Sequence, residues 1–140
     1  MAATNTQFSI AVHILVTMAS ITDKEVTSAD LAVSVNAYPS FVRRVISKLA
    51  KAKLIKTTTG KSGFCCLAKK TAEINLLDIY KAVEAPKVFA IHQYPAQKEC
   101  DVSCNIKVCM ESVLDKTQKA MEETLKKTTL AQVIGDLKKK

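Results

Sequence analysis

Five cysteines carry most of the reactive chemistry in this 140-residue chain. Cys100, Cys104 and Cys109 follow one another closely, and Cys65 and Cys66 are adjacent. Thiolates bind iron, and two neighbouring thiols can be oxidised and reduced as a switch; buried or isolated thiols do neither. All three outcomes are open on the spacing alone. An odd number of cysteines argues against a disulfide framework, so reduced thiols are expected. Cys65 and Cys66, on an extended run, should point to opposite faces, one inward and one exposed.

The other chemistry-bearing types form no catalytic set. His13 and His92 are the only histidines. No Gly-rich phosphate loop, paired carboxylates or Ser-His-Asp arrangement accompanies them, so an enzyme is not expected. His13 lies beside an apolar helical face and reads as a packing or surface residue. Lys and Arg outnumber Asp and Glu by 21 to 13, giving a net charge of +8 and a pI near 9.3. That excess favours a polyanionic partner, nucleic acid or an anionic membrane surface. No apolar run is long enough to span a bilayer and the N-terminus lacks the cationic start of a signal peptide; a cytoplasmic protein with no membrane partner is expected.

The elements that must position these residues centre on Thr27 to Leu67. Ser28 can cap a helix over about Ala29 to Ser34, Asn36 suits a left-handed turn, and Pro39 suits the first position of a second helix. On that second helix Phe41 or Val42, Val45, Leu49 and Ala52 recur at helical spacing, while Ser40, Arg43, Arg44, Ser47, Lys48 and Lys51 fill the other faces. This is a helix-turn-helix pattern, whose second helix enters the major groove of DNA. Leu54 to Lys56 and Phe64 to Leu67 read as strands around a Gly60-Lys61-Ser62-Gly63 turn, which makes a wing. The DNA-contacting set expected from this is Ser28, Tyr38, Pro39, Ser40, Arg43, Arg44, Ser47 and Lys48, with Thr59 and Lys61 from the wing. Arg44 is expected to read a base and Lys48 a phosphate.

Around this centre, Thr4 to Ser20 reads as a first helix with Phe8, Ala11, Val12, Leu15, Val16 and Ala19 on its apolar face, and Ile21 to Val26 as a connection. Beyond the wing, INLLDIYKAVE gives a helix with Ile74, Leu77, Ile79, Tyr80 and Val83 inward, capped by Asn75 or Thr71 and closed by Pro86. From Asp101 one long helix carries a stripe of Ile106, Met110, Val113 or Leu114, Thr117, Met121 and Leu125. A stripe of that length needs a second subunit; the expected dimer interface is Met110, Val113, Leu114, Thr117, Met121 and Leu125. Thr128 and Thr129 can cap a short last helix. The predicted class is mainly α with a small β wing: residues 1–86 a winged helix-turn-helix domain, 87–100 a connecting loop, 101–140 the dimerisation helix and a C-terminal helix. A winged module that binds protein instead of DNA is the alternative; DNA binding would weaken steeply with salt and an apolar protein interface would not.

The stretches SADLAVSVNAYPSFVRRVISKLAKAKLIK and INLLDIYKAVE, with a Cys-bearing loop and a long helix behind them, resemble the Rrf-two family of bacterial winged-helix regulators over nearly the whole chain. That resemblance implies a homodimer that crosses its long helices and binds an inverted-repeat operator, usually as a repressor, and members that sense iron–sulfur, nitric-oxide or cysteine status. Where the family wing has an arginine, several glycines and an aromatic, this chain has Thr59-Gly60-Lys61-Ser62-Gly63-Phe64, which leaves minor-groove contact to Lys61 or to none. Cluster-binding members carry three ligand cysteines at this place, so the resemblance implies an iron–sulfur cluster on Cys100, Cys104 and Cys109, although their spacing is tighter than the family's. His92, Glu111 or a residue of the partner subunit would be the fourth ligand. If the helix has begun by Val102, Cys104 and Cys109 lie about 140° apart around its axis and cannot share one iron. Sharing would need the helix to unwind there, so a cluster, a redox thiol pair and a constitutive regulator with no cysteine sensing all stay open.

Overall fold

The computed structural model describes residues 5–21, 25–58 and 63–139. In order they form α1 (Gln7–Ser20), β1 (Val26–Thr27), α2 (Ser28–Val35), α3 (Pro39–Lys51), β2 (Ile55–Thr57), β3 (Phe64–Leu67), a 3-10 turn (Thr71–Glu73), α4 (Leu76–Ala82), α5 (Asp101–Lys127) and α6 (Leu130–Lys138). The mainly α fold with a small β wing is therefore the observed class.

Local side-chain chemistry sets most of these boundaries. Helix α2 begins with a capping box: Asp30 N donates to Thr27 Oγ1 (3.2 Å) and Thr27 N donates to Asp30 Oδ2 (3.0 Å). The cap is thus Thr27, and Ser28 is the first helical residue, a correction of one position to the sequence expectation. Asn36 stops α2 in the left-handed region at φ 62°, a conformation its short polar side chain tolerates. Pro39, with its fixed φ and no N–H to satisfy, opens α3. The same reciprocal box recurs at α4, between Asn75 and Asp78, and at α6, between Thr129 and Gln132.

The sheet is antiparallel in the order β1-β3-β2. Val26 pairs with Cys65 and Thr27 with Phe64; on the other side Ile55, Lys56 and Thr57 pair with Leu67, Cys66 and Cys65. β1 falls where the sequence suggested only a connection, because a two-residue strand has too few residues to show a period. At the base of the wing Thr58 N donates to the Phe64 carbonyl (3.0 Å) and Phe64 N donates to Thr58 Oγ1 (2.9 Å). A Cβ on Gly63 would meet the Thr58 carbonyl at 3.0 Å, so the close crossing there calls for glycine. Thr59 and Lys61, the expected wing contacts, lie outside the described residues.

The chain divides into two compact units, Met1–Ala85 with Leu125–Lys140, and Pro86–Thr124. The core of the first collects Ile14, Leu15, Leu31, Val42, Val45 and Leu49 with Ile74, Ile79 and Leu130. On α1 it is Ala11, Ile14, Leu15 and Met18 that are buried, whereas the expected Val12 and Val16 are only half-buried. The apolar surface of α1 is wider than one stripe, and the packing of neighbouring helices selects which part becomes core. Phe8 meets Tyr80 edge to face, ring centroids 5.8 Å apart, a favoured aromatic geometry. Helix α6 belongs to this unit: Leu130 N donates to the Ile74 carbonyl (2.8 Å), Leu76 N donates to the Thr128 carbonyl (2.9 Å), and Leu130 is fully buried. In the second unit, Pro86 to Cys100 has no regular structure; Val88 N donates to Gln118 Oε1 (3.2 Å) and the Lys107 ammonium donates to the Tyr94 carbonyl. No residue of α5 is fully buried.

Leu130→Ala removes a buried branched side chain from the joint with the α4 entry. It is expected to lower the unfolding free energy by about 2–5 kcal/mol in urea. A loss below about 0.5 kcal/mol would mean that α6 is not integral to this unit.

Candidate nucleic-acid interface

Helix α3 is amphipathic in the strict sense. Val42, Val45, Ile46 and Leu49 are buried along one side, and Ser40, Arg43, Arg44 and Ser47 are exposed on the other. Ile46 was not among the core positions expected, and Ala52 is exposed beyond the helix end. Tyr38 stands at the N-cap with 82% of its surface exposed, next to Pro39 at the first turn. The Arg44 guanidinium lies 5.5 Å from the Phe41 ring centroid, which orients this cation from within its own helix. The helix N-terminus thus presents an aromatic hydroxyl, a serine and two guanidinium groups on one surface, all donors suited to phosphate oxygens and guanine edges.

Two expected contacts stand elsewhere. Lys48 Nζ donates to Gln7 Oε1 at 2.8 Å and reaches the Val83 carbonyl at 3.5 Å, so its ammonium ties α3 to α1 and the end of α4. The partners lie 41 and 35 residues away, so nothing local in the sequence signals this. Ser28 is half-buried at the start of α2.

The cysteines separate into distinct environments. Cys65 is buried and Cys66 exposed, as alternation along β3 demands. Burial pushes the Cys65 thiol up, and the adjacent Cys66 adds in the same direction. Folding therefore favours its protonated form, an advantage lost as pH rises through the thiol range. Cys100 immediately precedes α5, and its Sγ accepts from Ser103 N (3.4 Å). The Cys104 thiol, one turn on, donates to the Gln97 carbonyl (3.5 Å) and lies 3.8 Å from the Lys98 carbonyl. Because α5 is helical from Asp101, Cys109 is turned about 140° from Cys104. Among the described residues no group of three or more His, Cys, Asp or Glu gathers to hold a metal ion. The set Cys100, Cys104 and Cys109 thus does not fit a three-thiolate cluster within one protomer, and His92 and Glu111 do not complete it.

Along α5, Met110 and Val113 are exposed and Leu114, Met121 and Leu125 half-buried, with Thr117 exposed between them. Val88, Phe89 and Tyr94 in the preceding segment, and Val102 and Val108 on the helix, add exposed apolar surface that the stripe did not include. The segment lacks periodicity, and only its exposed aromatics, Phe89 and Tyr94, could have marked it.

Comparison with known proteins agrees with this geometry. The Rrf2 family model, described as an iron-dependent transcriptional regulator, matches residues 4–136. The chain belongs to the Rrf2 family. This Rrf2 protein is 35% identical over 134 residues to YwnA of Bacillus subtilis (strain 168), named as a candidate HTH-type transcriptional regulator, covering 95% of this chain and 98% of that one. A solved structure of a candidate DNA-binding protein superposes with a TM-score of 0.75 at 31% identity, covering 91% of this chain and 98% of the other. A candidate transcriptional regulator from Lactobacillus plantarum superposes with a TM-score of 0.81 at 25% identity, covering 95% and 90%. This Rrf2 protein is a transcriptional regulator with a winged-helix fold and not an enzyme, and the resemblance read from its helix-turn-helix and INLLDIYKAVE segments is confirmed. Among the described residues no helix is long and apolar enough to cross a membrane.

Alkylation with iodoacetamide at pH 8 is expected to modify Cys66, Cys100, Cys104 and Cys109 well before Cys65, as read by peptide mass spectrometry. Equal rates at Cys65 and Cys66 would contradict the inward placement of Cys65.

Proposed function

We propose that the chain is a cytoplasmic repressor that binds inverted-repeat duplex DNA as a homodimer, with α3 in the major groove. The observation that carries this is the division of α3 into a buried apolar side and an exposed side bearing Tyr38, Ser40, Arg43, Arg44 and Ser47. Arg44 and Arg43 read guanines through their planar donor forks, Tyr38 and Ser40 fix the helix on the phosphates, and Lys61 of the wing meets the neighbouring backbone or minor groove. Lys48 serves to hold the reading helix on α1 and α4 rather than to meet phosphate.

Dimerisation falls to α5, about 40 Å long, on which Val102, Ile106, Val108, Met110 and Val113 are exposed in the single chain and Leu114, Met121 and Leu125 are only half-buried. Soluble monomers rarely leave so continuous an apolar band in water. To read two half-sites on one face of B-DNA, the two α3 helices of the dimer stand about 34 Å apart, one helical turn.

The signal enters as a thiol oxidation at Cys100 and Cys104. Cys104 N bonds to the Cys100 carbonyl (3.0 Å), a one-turn spacing that puts the two Cα atoms about 6 Å apart, within disulfide reach. A peroxide oxidises the pair: two thiols give one disulfide and hydrogen peroxide is reduced to two waters. Cys109 takes no part.

Operators selected from a random duplex library are expected to bind with an affinity that falls steeply with salt. Arg44→Ala is expected to cost about 1–3 kcal/mol and relax one base position; unchanged affinity in both Arg43→Ala and Arg44→Ala would reject α3 as the reader. Leu114→Glu with Met121→Glu is expected to give monomers that bind operator weakly, checked by sedimentation, and a monomeric wild type at micromolar concentration would remove the dimer.

A further inference from the structure

An open groove of about 720 Å³ runs along the winged unit between α1 and α6 and reaches the last turn of α2. Val12, Val16 and Ile21 form one wall and Val133 and Leu137 the other. Polar groups gather along one edge, at His13, Thr17 and Ser34, and their protons can be assigned. The Thr17 hydroxyl donates to the His13 carbonyl (2.9 Å), which can only accept, so its one proton is spent. Ser34 Oγ, 3.1 Å from Thr17 Oγ1, must then be the donor of that pair. His13 Nε2, 3.1 Å from Ser34 Oγ, must in turn carry the ring hydrogen. The Ser20 hydroxyl is likewise committed, to the Val16 carbonyl at 2.9 Å. With the imidazole neutral, what the edge has left to offer is acceptor capacity: His13 Nδ1 and one lone pair each on Ser34 and Thr17.

We propose that this groove is an effector site for a neutral, apolar small molecule bearing one hydrogen-bond donor, of the class of aromatic alcohols. The volume lies within the roughly 300–1,000 Å³ of ligand sites, and an apolar lining with a few convergent polar groups is their usual makeup. A carboxylate ligand would lie by Asp136, the one carboxylate lining the groove among the described residues and loosely paired with Lys139 at 4.0 Å, and beside a neutral His13 would find no uncommitted donor at the polar edge. Occupancy is read by α2, because Ser34 stands two residues before Asn36, the left-handed turn that sets α2 against α3. A ligand that prefers one setting of that turn shifts DNA affinity by its ratio of affinities for the two settings. This last step rests on the DNA-binding reading; ligand binding itself does not.

The probe is 2-naphthol, with 2-methoxynaphthalene as its counterpart lacking the donor, each titrated by its own fluorescence against the full chain. The expected result is saturable binding of one 2-naphthol per chain, about fivefold tighter than the methyl ether, with the difference abolished in His13→Phe/Ser34→Ala. Val133→Trp, or Leu137→Trp at the more exposed rim, fills the groove and is expected to weaken binding at least tenfold. Non-saturable binding, equal affinity for the two probes, or affinity unchanged by either tryptophan overturns the proposal. So does a shift of the tryptophan variants from dimer to monomer in sedimentation, which would make the groove a subunit contact. Saturating 2-naphthol is expected to change operator affinity at least threefold; no change in a protein that binds both probe and DNA removes the effector role. A protein that binds 2-naphthol but no duplex supports the ligand site and rejects the DNA-binding reading instead.

Discussion

Burial of Val42, Val45, Ile46 and Leu49 along one side of α3 fixes the direction of everything on its other side. Four fully packed aliphatic residues, each stabilising by about 1.5–3 kcal/mol relative to exposure, leave the helix no freedom to roll about its axis. The guanidinium groups of Arg43 and Arg44 therefore face solvent by default, and no further interaction is needed to hold them out. Phe41 and Lys48 refine the arrangement from the boundary between the two sides. Phe41 is half-buried and steers Arg44, while the Lys48 ammonium bonds to Gln7 and the Val83 carbonyl. A basic residue on this amphipathic helix thus holds it to its neighbours, where a charge count alone would have assigned it to DNA.

The rest of the winged unit is built by the same economy of short-range stops. Reciprocal capping boxes at Thr27 and Asp30, Asn75 and Asp78, and Thr129 and Gln132 satisfy the first amides of three helices, so each begins at a defined residue. The bonds between the Ile74 to Leu76 strand-like entry of α4 and the Thr128 to Leu130 entry of α6 place two capping boxes side by side. Leu130 then drops into the core. Through this joint the C-terminal helix becomes a wall of the winged unit, and the groove against α1 exists because α6 is held there.

The cysteines show how helix geometry limits chemistry that composition allows. Five thiols and a family of iron-dependent regulators suggest a metal centre, yet a helix that starts at Asp101 sends Cys109 away from Cys104. Cys100 and Cys104 stand one turn apart at the start of the helix, the Cys104 N–H bonded to the Cys100 carbonyl at 3.0 Å. In the wing, the pleat alone decides that Cys65 is sheltered and Cys66 is not.

The helix-turn-helix, the β3 run and the span of the long helix were legible in the sequence, and the caps at Asn75 and Thr129 were each narrowed to two candidates, because each depends on contacts within a few residues: a turn residue with positive φ, a proline at a helix start, a period of two or of 3.6. The Thr27 cap was missed by one residue because Thr27 and Ser28 are chemically equivalent as caps, and only the observed backbone angles distinguish them. What the tertiary structure decided are the choices made by distant partners. It selected Ile14 and Met18 over Val12 and Val16 as the core of α1, recruited Val26 and Thr27 to the sheet, and turned Lys48 inward to Gln7. It joined α6 to the winged unit and brought His13 against Ser34, 21 residues on, in a pairing that no periodicity encodes. Local rules fix where an element begins and ends, but which of its faces is buried depends on the shape of what packs against it, and that information is spread over the whole chain.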